Sequence, residues 1–379
     1  MKILYVTTIS LTMNTFFKPH IDMLVQEGNQ VDIACNYRDL ALDPLYSQLG
    51  CKFHQVDFSR SPLSVDNLKA YGQLKRVIAE GNYDIVHCHT PNAAVITRLV
   101  GRKFRKKNGL KVFYTAHGFH FYQGAPKLNW MVYYPVEKLC SRFTDKLITI
   151  NREDYELAKR KFKAKEVHYV PGVGVDLSKY EDVQTDRAAK RQEIGVPADA
   201  VLLLSVGELN ENKNHQIIIR ALAKLNDPNV HYAIAGVGDR RDYLLGLADE
   251  LGVAQQVHLL GYRKDVPELN CAADVFCFPS FREGLPASLM EAMAGGLPCA
   301  VSRIRGNSDL IDADGGSLFD PYDEDACYEA LGWILRNDRK ALGAYNRTKV
   351  QHFSQRSVME LMRAVYDFCC EGVRLCKSI

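Results

Sequence analysis

The amino-acid sequence predicts an α/β protein built from two Rossmann-like domains. Short apolar runs rich in β-branched residues alternate with longer amphipathic stretches from the first residue onward, which is typical of parallel strands joined by crossover helices. The chain has 379 residues, 47% of them apolar, and so exceeds the size at which a single core usually keeps growing. The alternation also pauses once, after residue 170, and then restarts.

The first half of the chain contains six predicted strands. They span residues 2–7, 30–35, 85–89, 111–116, 146–150 and 167–170. We expect them to form the sheet of an N-terminal domain, residues 1–172. The pattern then stops at Pro171-Gly-Val-Gly174, and the polar stretch that follows, to about Gln192, is interpreted as a linker and the first helix of a second domain.

The second half repeats the alternation and forms a domain of its own, residues 173–355. Its predicted strands span residues 201–206, 231–235, 257–259, 275–279 and 298–301. Apolar residues at helical spacing predict a final helix, 356–379, that returns to the first domain. Because ligands of open α/β sheets bind at the carboxyl ends of the strands, two such sheets facing one another would form a cleft for two substrates.

Composition excludes several classes of protein. No run of about 18 apolar residues exists, and the N-terminus is interpreted as a first strand and not as a signal peptide. The eleven cysteines form no Cys-x-x-Cys pair, and the adjacent Cys369 and Cys370 cannot easily bridge each other. We therefore expect reduced thiols in a cytoplasmic protein.

The charge is distributed unevenly along the chain. Residues 1–185 hold 26 Lys and Arg against 18 Asp and Glu, whereas the remainder holds 22 against 27. Much of the excess lies in residues 102–107 and 159–165. These stretches are either solvated helix faces or a surface for peripheral contact with an anionic cytoplasmic membrane. No nucleic-acid motif accompanies them, so no nucleic-acid partner is expected.

The segment 279–298 has the order of residues that a diphosphate site needs. It leads from a strand through a turn into a helix that we predict to begin near Ala287. Gly284 allows a close backbone approach, Pro286 suits an entering turn, and the free amides of the helix start favour an anion. With Leu285 between them, these residues are predicted to bind the donor. Glu283 and Glu291 flank the helix start, so both carboxylates can accept hydrogen bonds from hydroxyl groups of one ligand.

The Glu-x7-Glu spacing of Glu283 and Glu291 resembles glycosyltransferase family 4, the retaining enzymes of GT-B fold. The resemblance covers essentially the whole chain, including Val86-His-Cys-His-Thr-Pro91 and Thr115-Ala-His-Gly-Phe119, and points to a bacterial capsular or exopolysaccharide enzyme. It implies an N-terminal acceptor domain, a C-terminal domain for a nucleotide sugar, and no metal or cofactor. It also implies that Glu283 contacts the hexose, Glu291 binds the ribose, and His117 lies against the transferred sugar.

One departure from the family concerns the loop after residue 206. The family has Arg and then Lys there, whereas this chain has Glu208 and Lys213. We expect Lys213 to neutralise the diphosphate leaving group, and we assign Glu208 to the donor site without a defined role.

Further donor-binding candidates are weaker. Gly236 follows a strand in Ala235-Gly-Val-Gly-Asp-Arg240, which lacks the third glycine of an NAD fingerprint and is interpreted as lining the nucleotide pocket. Arg263 is added to this set. Gly306 and Asn307 could supply amides to the phosphates or form a plain helix cap. Asp312-Ala-Asp314 is interpreted as a turn and not as a metal site.

The acceptor is assigned to the first domain. Its candidate residues are Thr12, Asn14, His89 and Asn92, although Thr12 and Asn14 could equally be helix caps. His87 and His89 share a strand face by their spacing, yet no third ligand is evident, so no metal site is predicted.

The resemblance implies retaining transfer from a UDP-hexose or UDP-N-acetylhexosamine in bacterial surface polysaccharide synthesis. The basic N-terminal half favours a polyprenyl-diphosphate-linked saccharide at the cytoplasmic membrane as the acceptor. A UDP-sugar epimerase on the same fold and a non-catalytic nucleotide-sugar binding protein remain alternatives. An epimerase would convert the donor with no acceptor present, whereas a binding protein would show no transfer.

Overall fold

The computed structural model describes residues 1–367, and their contacts divide the chain into two compact units. The first unit comprises Met1–Val173 together with the segment from Gln355 onward, and the second comprises Gly174–Ser354. Each unit contains one parallel sheet with helices, which confirms the predicted α/β class. Residues 368–379, with Cys369, Cys370 and the end of the predicted last helix, lie outside the described residues.

The first unit has a seven-stranded sheet in the order β3-β2-β1-β4-β5-β6-β7. Its strands are β1 (Lys2–Ile9), β2 (Gln30–Asn36), β3 (Lys52–Gln55), β4 (Ile85–Cys88), β5 (Lys111–Ala116), β6 (Lys146–Thr149) and β7 (Glu166–Tyr169). Its helices before residue 174 are α1 (Ser10–Phe16), α2 (Lys18–Gln26), α3 (Pro44–Gln48), α4 (Asp66–Gly81), α5 (Pro91–Asn108), α6 (Lys127–Ser141) and α7 (Arg152–Lys161).

The second unit has a six-stranded sheet in the order β10-β9-β8-β11-β12-β13. Its strands are β8 (Val201–Val206), β9 (Val230–Ala235), β10 (Val257–Gly261), β11 (Val275–Phe278), β12 (Cys299–Ser302) and β13 (Gly316–Phe319). Its helices are α8 (Ser178–Glu181), α9 (Arg187–Glu193), α10 (His215–Leu225), α11 (Arg241–Glu250), α12 (Val266–Ala272), α13 (Ala287–Ala294), α14 (Asn307–Leu310), α15 (Glu324–Arg336) and α16 (Arg339–Lys349).

Both sheets are buried on their two faces. Along β1, Leu4 and Val6 belong to one apolar cluster while Ile3 and Tyr5 belong to another. Successive side chains of a strand point to opposite faces, so the two clusters lie on opposite sides of the sheet. This explains why the central strands are near-continuous apolar runs in the sequence. In each unit the strand order reverses beside the first strand, and that reversal creates a binding crevice at the carboxyl ends.

The last described helix, α17 (Gln355–Val365), packs in the first unit. Its apolar side chains share a cluster with residues of β1 and α2. Beyond its end, Tyr366 Oη lies 2.5 Å from Nδ1 of the buried His87, and Lys146 Nζ donates to the carbonyl of Val365 at 2.8 Å. The end of the described chain is therefore fixed by polar contacts as well as by apolar packing.

A buried ion pair joins α5 to α6. Arg98 donates two hydrogen bonds to Glu137, at 2.7 and 3.0 Å, and its guanidinium lies 4.1 Å from the ring centroid of Tyr114. The Arg98 side chain is 1% exposed. Removing one partner of such a pair leaves an uncompensated buried charge.

We expect Glu137→Gln to destabilise the first unit by about 3 kcal/mol, or about 6–12 °C in Tm for a unit of this size. Thermal unfolding followed by circular dichroism measures this. The double variant Arg98→Met/Glu137→Leu removes both charges and should be less destabilised than Glu137→Gln. An unchanged Tm in Glu137→Gln would show that the pair contributes little.

Candidate active site

Three adjacent strands of the second unit end in loops that contact one another. The loop after β8 meets the loop after β11, where Phe281 N donates to the carbonyl of Asn212 at 2.8 Å. Asn212 Nδ2 donates in return to the carbonyl of Arg282 at 3.0 Å. Ser302, at the end of β12, donates through Oγ to the carbonyl of Ser280 at 2.6 Å. These bonds attach the loop around Glu283 to the ends of both neighbouring strands.

Lys213 and Glu283 form an ion pair at this edge of the sheet. Lys213 Nζ lies 2.8 Å from Glu283 Oε1, and the two side chains are only 19% and 15% exposed. The ammonium also lies 4.5 Å from the ring centroid of Phe278. Asn210 fixes the lysine's backbone by accepting from Lys213 N at 3.0 Å. Two residues predicted to bind different parts of one donor are thus in direct contact.

The start of α13 lies in the same loop. The helix begins at Ala287, as the sequence predicts, after Pro286 in an extended conformation, and no side-chain cap is bonded to its first amides. Gly284, Leu285 and Ala287 are partly or fully accessible to solvent. Uncapped amides at a helix N-terminus attract anions through their N–H groups and the helix dipole. Lys213, paired with Glu283, lies at the same edge of the sheet as these amides.

The loop after β12 supports the Glu283 loop. Gly306 has a φ of +79°, and a Cβ there would lie 2.5 Å from the carbonyl oxygen of Gly284, so a glycine is required. Its N–H donates to Asp309 Oδ2 at 3.1 Å, which engages that amide in a helix cap. The Asn307 side chain is fully buried and donates to the carbonyl of Ser302 at 3.1 Å. The Gly306 amide and the Asn307 Nδ2 therefore serve contacts within the chain, whereas Asn307 Oδ1 is buried without a hydrogen-bond partner among the described residues.

Arg305 is a residue that sequence reasoning did not assign to the site. Its side chain is buried, and its Nε donates to the carbonyl of Glu283 at 3.0 Å. The sequence offered one signal for this role, because Arg305 directly precedes Gly306, a residue already predicted to bind the donor.

Glu291 lies one helical turn into α13 and is half-buried. Burial raises the pKa of its carboxyl group, an effect that the nearby Lys179 opposes. Tyr180 is also close: burial raises the pKa of its phenol, and the charge of the neighbouring Glu291 raises that pKa further. Lys179 and Tyr180 belong to α8, and nothing in the sequence indicated that they would lie beside the motif.

Other predicted donor residues have structural partners. Glu208 is exposed and accepts from Asn210 Nδ2 at 2.8 Å. A Cβ on Gly236 would lie 1.8 Å from the carbonyl oxygen of Gly207, so the loops after β8 and β9 touch backbone to backbone. Arg263 pairs with Glu193 and Asp265, which raise the pKa of its guanidinium. Its charge is already satisfied within the chain.

Histidines of the first unit cluster where β4 and β5 end. His117 is exposed, and its Nε2 lies 3.3 Å from Nδ1 of His89. His89 is 2% exposed and stacks on Tyr5 with ring centroids 4.4 Å apart. Burial lowers the pKa of His89 and of His87, so both rings are neutral at pH 7. The sequence assigned His89 to the acceptor, but the buried ring lies behind His117, and His117 is the one that solvent reaches.

The remaining acceptor candidates line loops of the first unit. Asn14 donates to the carbonyl of Ala41 at 2.9 Å and accepts from Asp43 N at 3.0 Å, so it ties α1 to the loop between β2 and α3 and does not cap a helix. Asn92 Nδ2 donates to the carbonyls of Ser59 and Arg60 at 2.9 and 2.7 Å. Thr12 is half-buried.

Three further features concern the described part of the chain, namely possible metal ligands, the turn at Asp312 and possible membrane-spanning helices. In residues 1–367, no group of three or more His, Cys, Asp or Glu side chains is arranged to hold a metal ion. Asp312 accepts from Tyr345 and Lys349, and its backbone oxygen accepts from Gly315, which is the predicted turn. None of the helices in the same range combines the length and apolarity needed to cross a bilayer.

Comparison with known proteins relates both units to sugar-transferring enzymes. The family model Glycosyl transferase 4-like matches residues 2–151, and the model Glycosyl transferases group 1 matches residues 186–349. Over 97% of its length the chain is 35% identical to the putative glycosyltransferase EpsD of Bacillus subtilis, of which it covers 96%. It is also 29% identical to the UDP-Gal:alpha-D-GlcNAc-diphosphoundecaprenol alpha-1,3-galactosyltransferase of Escherichia coli, with 86% of this chain and 84% of that protein covered.

Solved structures agree with the fold. The structure of Anabaena HepE in complex with UDP superposes with a TM-score of 0.79 at 20% identity, covering 97% of this chain and 100% of that chain. The lipopolysaccharide enzyme WaaG superposes with a TM-score of 0.71 at 20% identity, covering 96% of this chain and 99% of that chain.

Proposed function

The chain belongs to glycosyltransferase family 4 and has the GT-B fold, and from this premise we propose that it transfers a hexose or N-acetylhexosamine from a UDP-sugar to a polyprenyl-diphosphate-linked saccharide with retention at the anomeric carbon. The role belongs to bacterial surface polysaccharide synthesis, at the cytoplasmic face of the membrane. The relative named for UDP-galactose and a diphosphoundecaprenol-linked sugar supports both the donor and the acceptor class. No metal or cofactor takes part.

The Lys213–Glu283 pair beside the uncapped start of α13 is the observation that supports this function best. In the proposed reaction, Lys213 and the helix amides bind the diphosphate, and Glu283 turns to hydroxyls of the hexose. Glu291 accepts hydrogen bonds from the ribose hydroxyls, and His117 lies against the transferred hexose. The bond from the anomeric carbon to the phosphate oxygen breaks, and the acceptor oxygen bonds to that carbon on the same face. The acceptor proton passes to the departing phosphate.

Ligand binding and product analysis test the proposal together. A UDP-sugar should raise the Tm, because a ligand that binds only the folded state stabilises it, whereas GDP- and ADP-sugars should not. With a lipid-linked saccharide present, NMR of the product should show the anomeric configuration of the donor. Isomerisation of the donor without acceptor would indicate an epimerase, and binding without any transfer would indicate a binding protein. The absence of a Tm shift with every nucleotide sugar would contradict all three.

The raised pKa of Glu291 predicts a pH dependence of donor affinity. Because its pKa is raised, the Glu291 carboxyl group is protonated at a higher pH than an ordinary glutamate as the pH falls. A carboxylate accepts hydrogen bonds from hydroxyls more strongly than a neutral carboxylic acid does. We expect the affinity for a UDP-sugar to fall about five- to tenfold as the pH drops through that pKa. Calorimetric titration across this range measures it. Glu291→Gln should bind weakly at every pH, and a steep pH dependence in this variant would assign the effect elsewhere.

A further inference from the structure

The helix α6 exposes an apolar stripe to solvent. Five of its side chains are between 41% and 75% exposed, namely Leu128, Met131, Val132, Val136 and Leu139. Pro135 lies exposed among them. The positions recur every three to four residues, so they form one continuous face, roughly 17 Å long. Monomeric soluble proteins rarely expose contiguous apolar surface of this kind without using it.

The opposite face of α6 packs against the first unit and so fixes the orientation of the helix, with the stripe facing solvent. Glu137 is buried in the bidentate pair with Arg98, and Cys140 is buried as well. Tyr134 and Trp130 are partly buried and pack against Phe121, with ring centroids 5.5 Å away in both cases. Because rotating the helix would expose the ion pair and these rings, the stripe cannot turn inward. The helix is thus apolar on both faces, which is characteristic of helices that are covered on every side.

The exposed charges of α6 are all positive. Glu137 is the only acidic residue of α6 and is buried, whereas Lys127, Lys138 and the following Arg142 are exposed. Two neighbouring segments add exposed cations. The Arg102 guanidinium lies 5.4 Å from the ring centroid of Phe143, and Lys163 N donates to Ser141 Oγ at 2.9 Å. None of these five cations forms a salt bridge with any residue in 1–367.

We propose that the exposed face of α6 is a membrane-docking surface that lies in the headgroup region of an anionic bilayer. A helix parallel to the membrane plane buries its apolar stripe at the boundary between headgroups and acyl chains, and flanking cations pair with anionic lipids. Long cationic side chains reach the headgroups while their stems cover apolar surface. A second copy of the chain would place these unpaired cations against one another, so charge favours the lipid. The inference refines the membrane contact of the proposed function but rests on α6 alone.

Vesicle co-sedimentation of the full-length chain tests this surface. The probes are phosphatidylcholine vesicles with and without phosphatidylglycerol, and binding is expected only to the anionic ones. Met131→Glu/Val136→Glu should reduce binding at least tenfold, and Lys127→Gln/Lys138→Gln should reduce it severalfold. The matched control is Leu245→Glu, which changes a partly exposed leucine of α11 in the second unit and should bind as the unaltered chain does.

Several outcomes would overturn the docking surface. These are an unaltered chain that does not bind, equal binding to neutral vesicles, or full binding by Met131→Glu/Val136→Glu. A dimer seen by light scattering that this variant dissociates, without vesicle binding, would instead assign the stripe to a second copy. The variant should keep the Tm shift with a UDP-sugar, which shows that it is folded. Vesicle binding without sugar transfer would refute the proposed reaction and leave the docking surface intact.

Discussion

Replacing Glu283 with glutamine is expected to reduce sugar transfer by about 10²–10³-fold while UDP affinity changes little. The two side chains have nearly the same shape, so the effect isolates the negative charge. A neutral amide makes weaker hydrogen bonds to the hexose hydroxyls than a carboxylate does. UDP contains no hexose, so its binding does not depend on those hydrogen bonds. Initial rates of transfer, together with calorimetric titration of UDP, separate the two effects.

The matched control for Glu283→Gln is Glu324→Gln. Glu324 also pairs with a cation of the second unit, Arg220, at 3.2 Å, but lies on α15 and is 59% exposed. Its substitution should leave transfer unchanged. Transfer by Glu283→Gln at the rate of the unaltered enzyme would remove this residue from the catalytic assignment.

Replacing Lys213 with methionine is expected to weaken UDP binding at least tenfold and to lower transfer by about 10²–10³-fold. Methionine keeps an unbranched apolar stem but removes the charge, and with it the cation–π contact with Phe278. Glu208 stands where the family has a second cation, so Lys213 is the chief side-chain charge proposed for the diphosphate. The substitution also deprives the half-buried Glu283 carboxylate of its counter-ion.

A conservative variant and a distant lysine separate charge from folding. Lys213→Arg should retain more transfer than Lys213→Met because it keeps the charge, although its geometry differs. Lys224→Met removes an exposed lysine that pairs with Asp325 and should behave as the unaltered enzyme does. If Lys213→Met binds UDP as tightly as the unaltered enzyme, the diphosphate must be bound by the backbone amides of α13 and not by Lys213.

Most strands could be predicted because buried parallel strands are continuous apolar runs. The predicted bounds 111–116 and 201–206 coincide with β5 and β8. The strands β3 and β13 were missed, and both lie at sheet edges, span four residues and include partly exposed side chains. Such short segments lack the continuous apolar pattern that identifies a central strand.

The candidate site was predictable in its backbone and less so in its contacts. The start of α13 at Ala287 followed from the turn residues before it. The contact of Lys213 with Glu283 joins residues 70 positions apart and depends on how two loops meet. Arg305, Lys179 and Tyr180 were missed because their positions near the two glutamates come from tertiary packing, which local sequence patterns do not describe.

The contact between His87 and Tyr366 has a consequence for biosynthesis, because its two residues are 279 positions apart. A ribosome that adds roughly 5–20 residues per second needs tens of seconds to travel that distance. During this interval the nascent first unit lacks α17, so the apolar groups that α17 covers stay open to chaperones and proteases. The second unit, which is contiguous in sequence, can finish folding earlier. The domain that is synthesised first is thus the last to be completed.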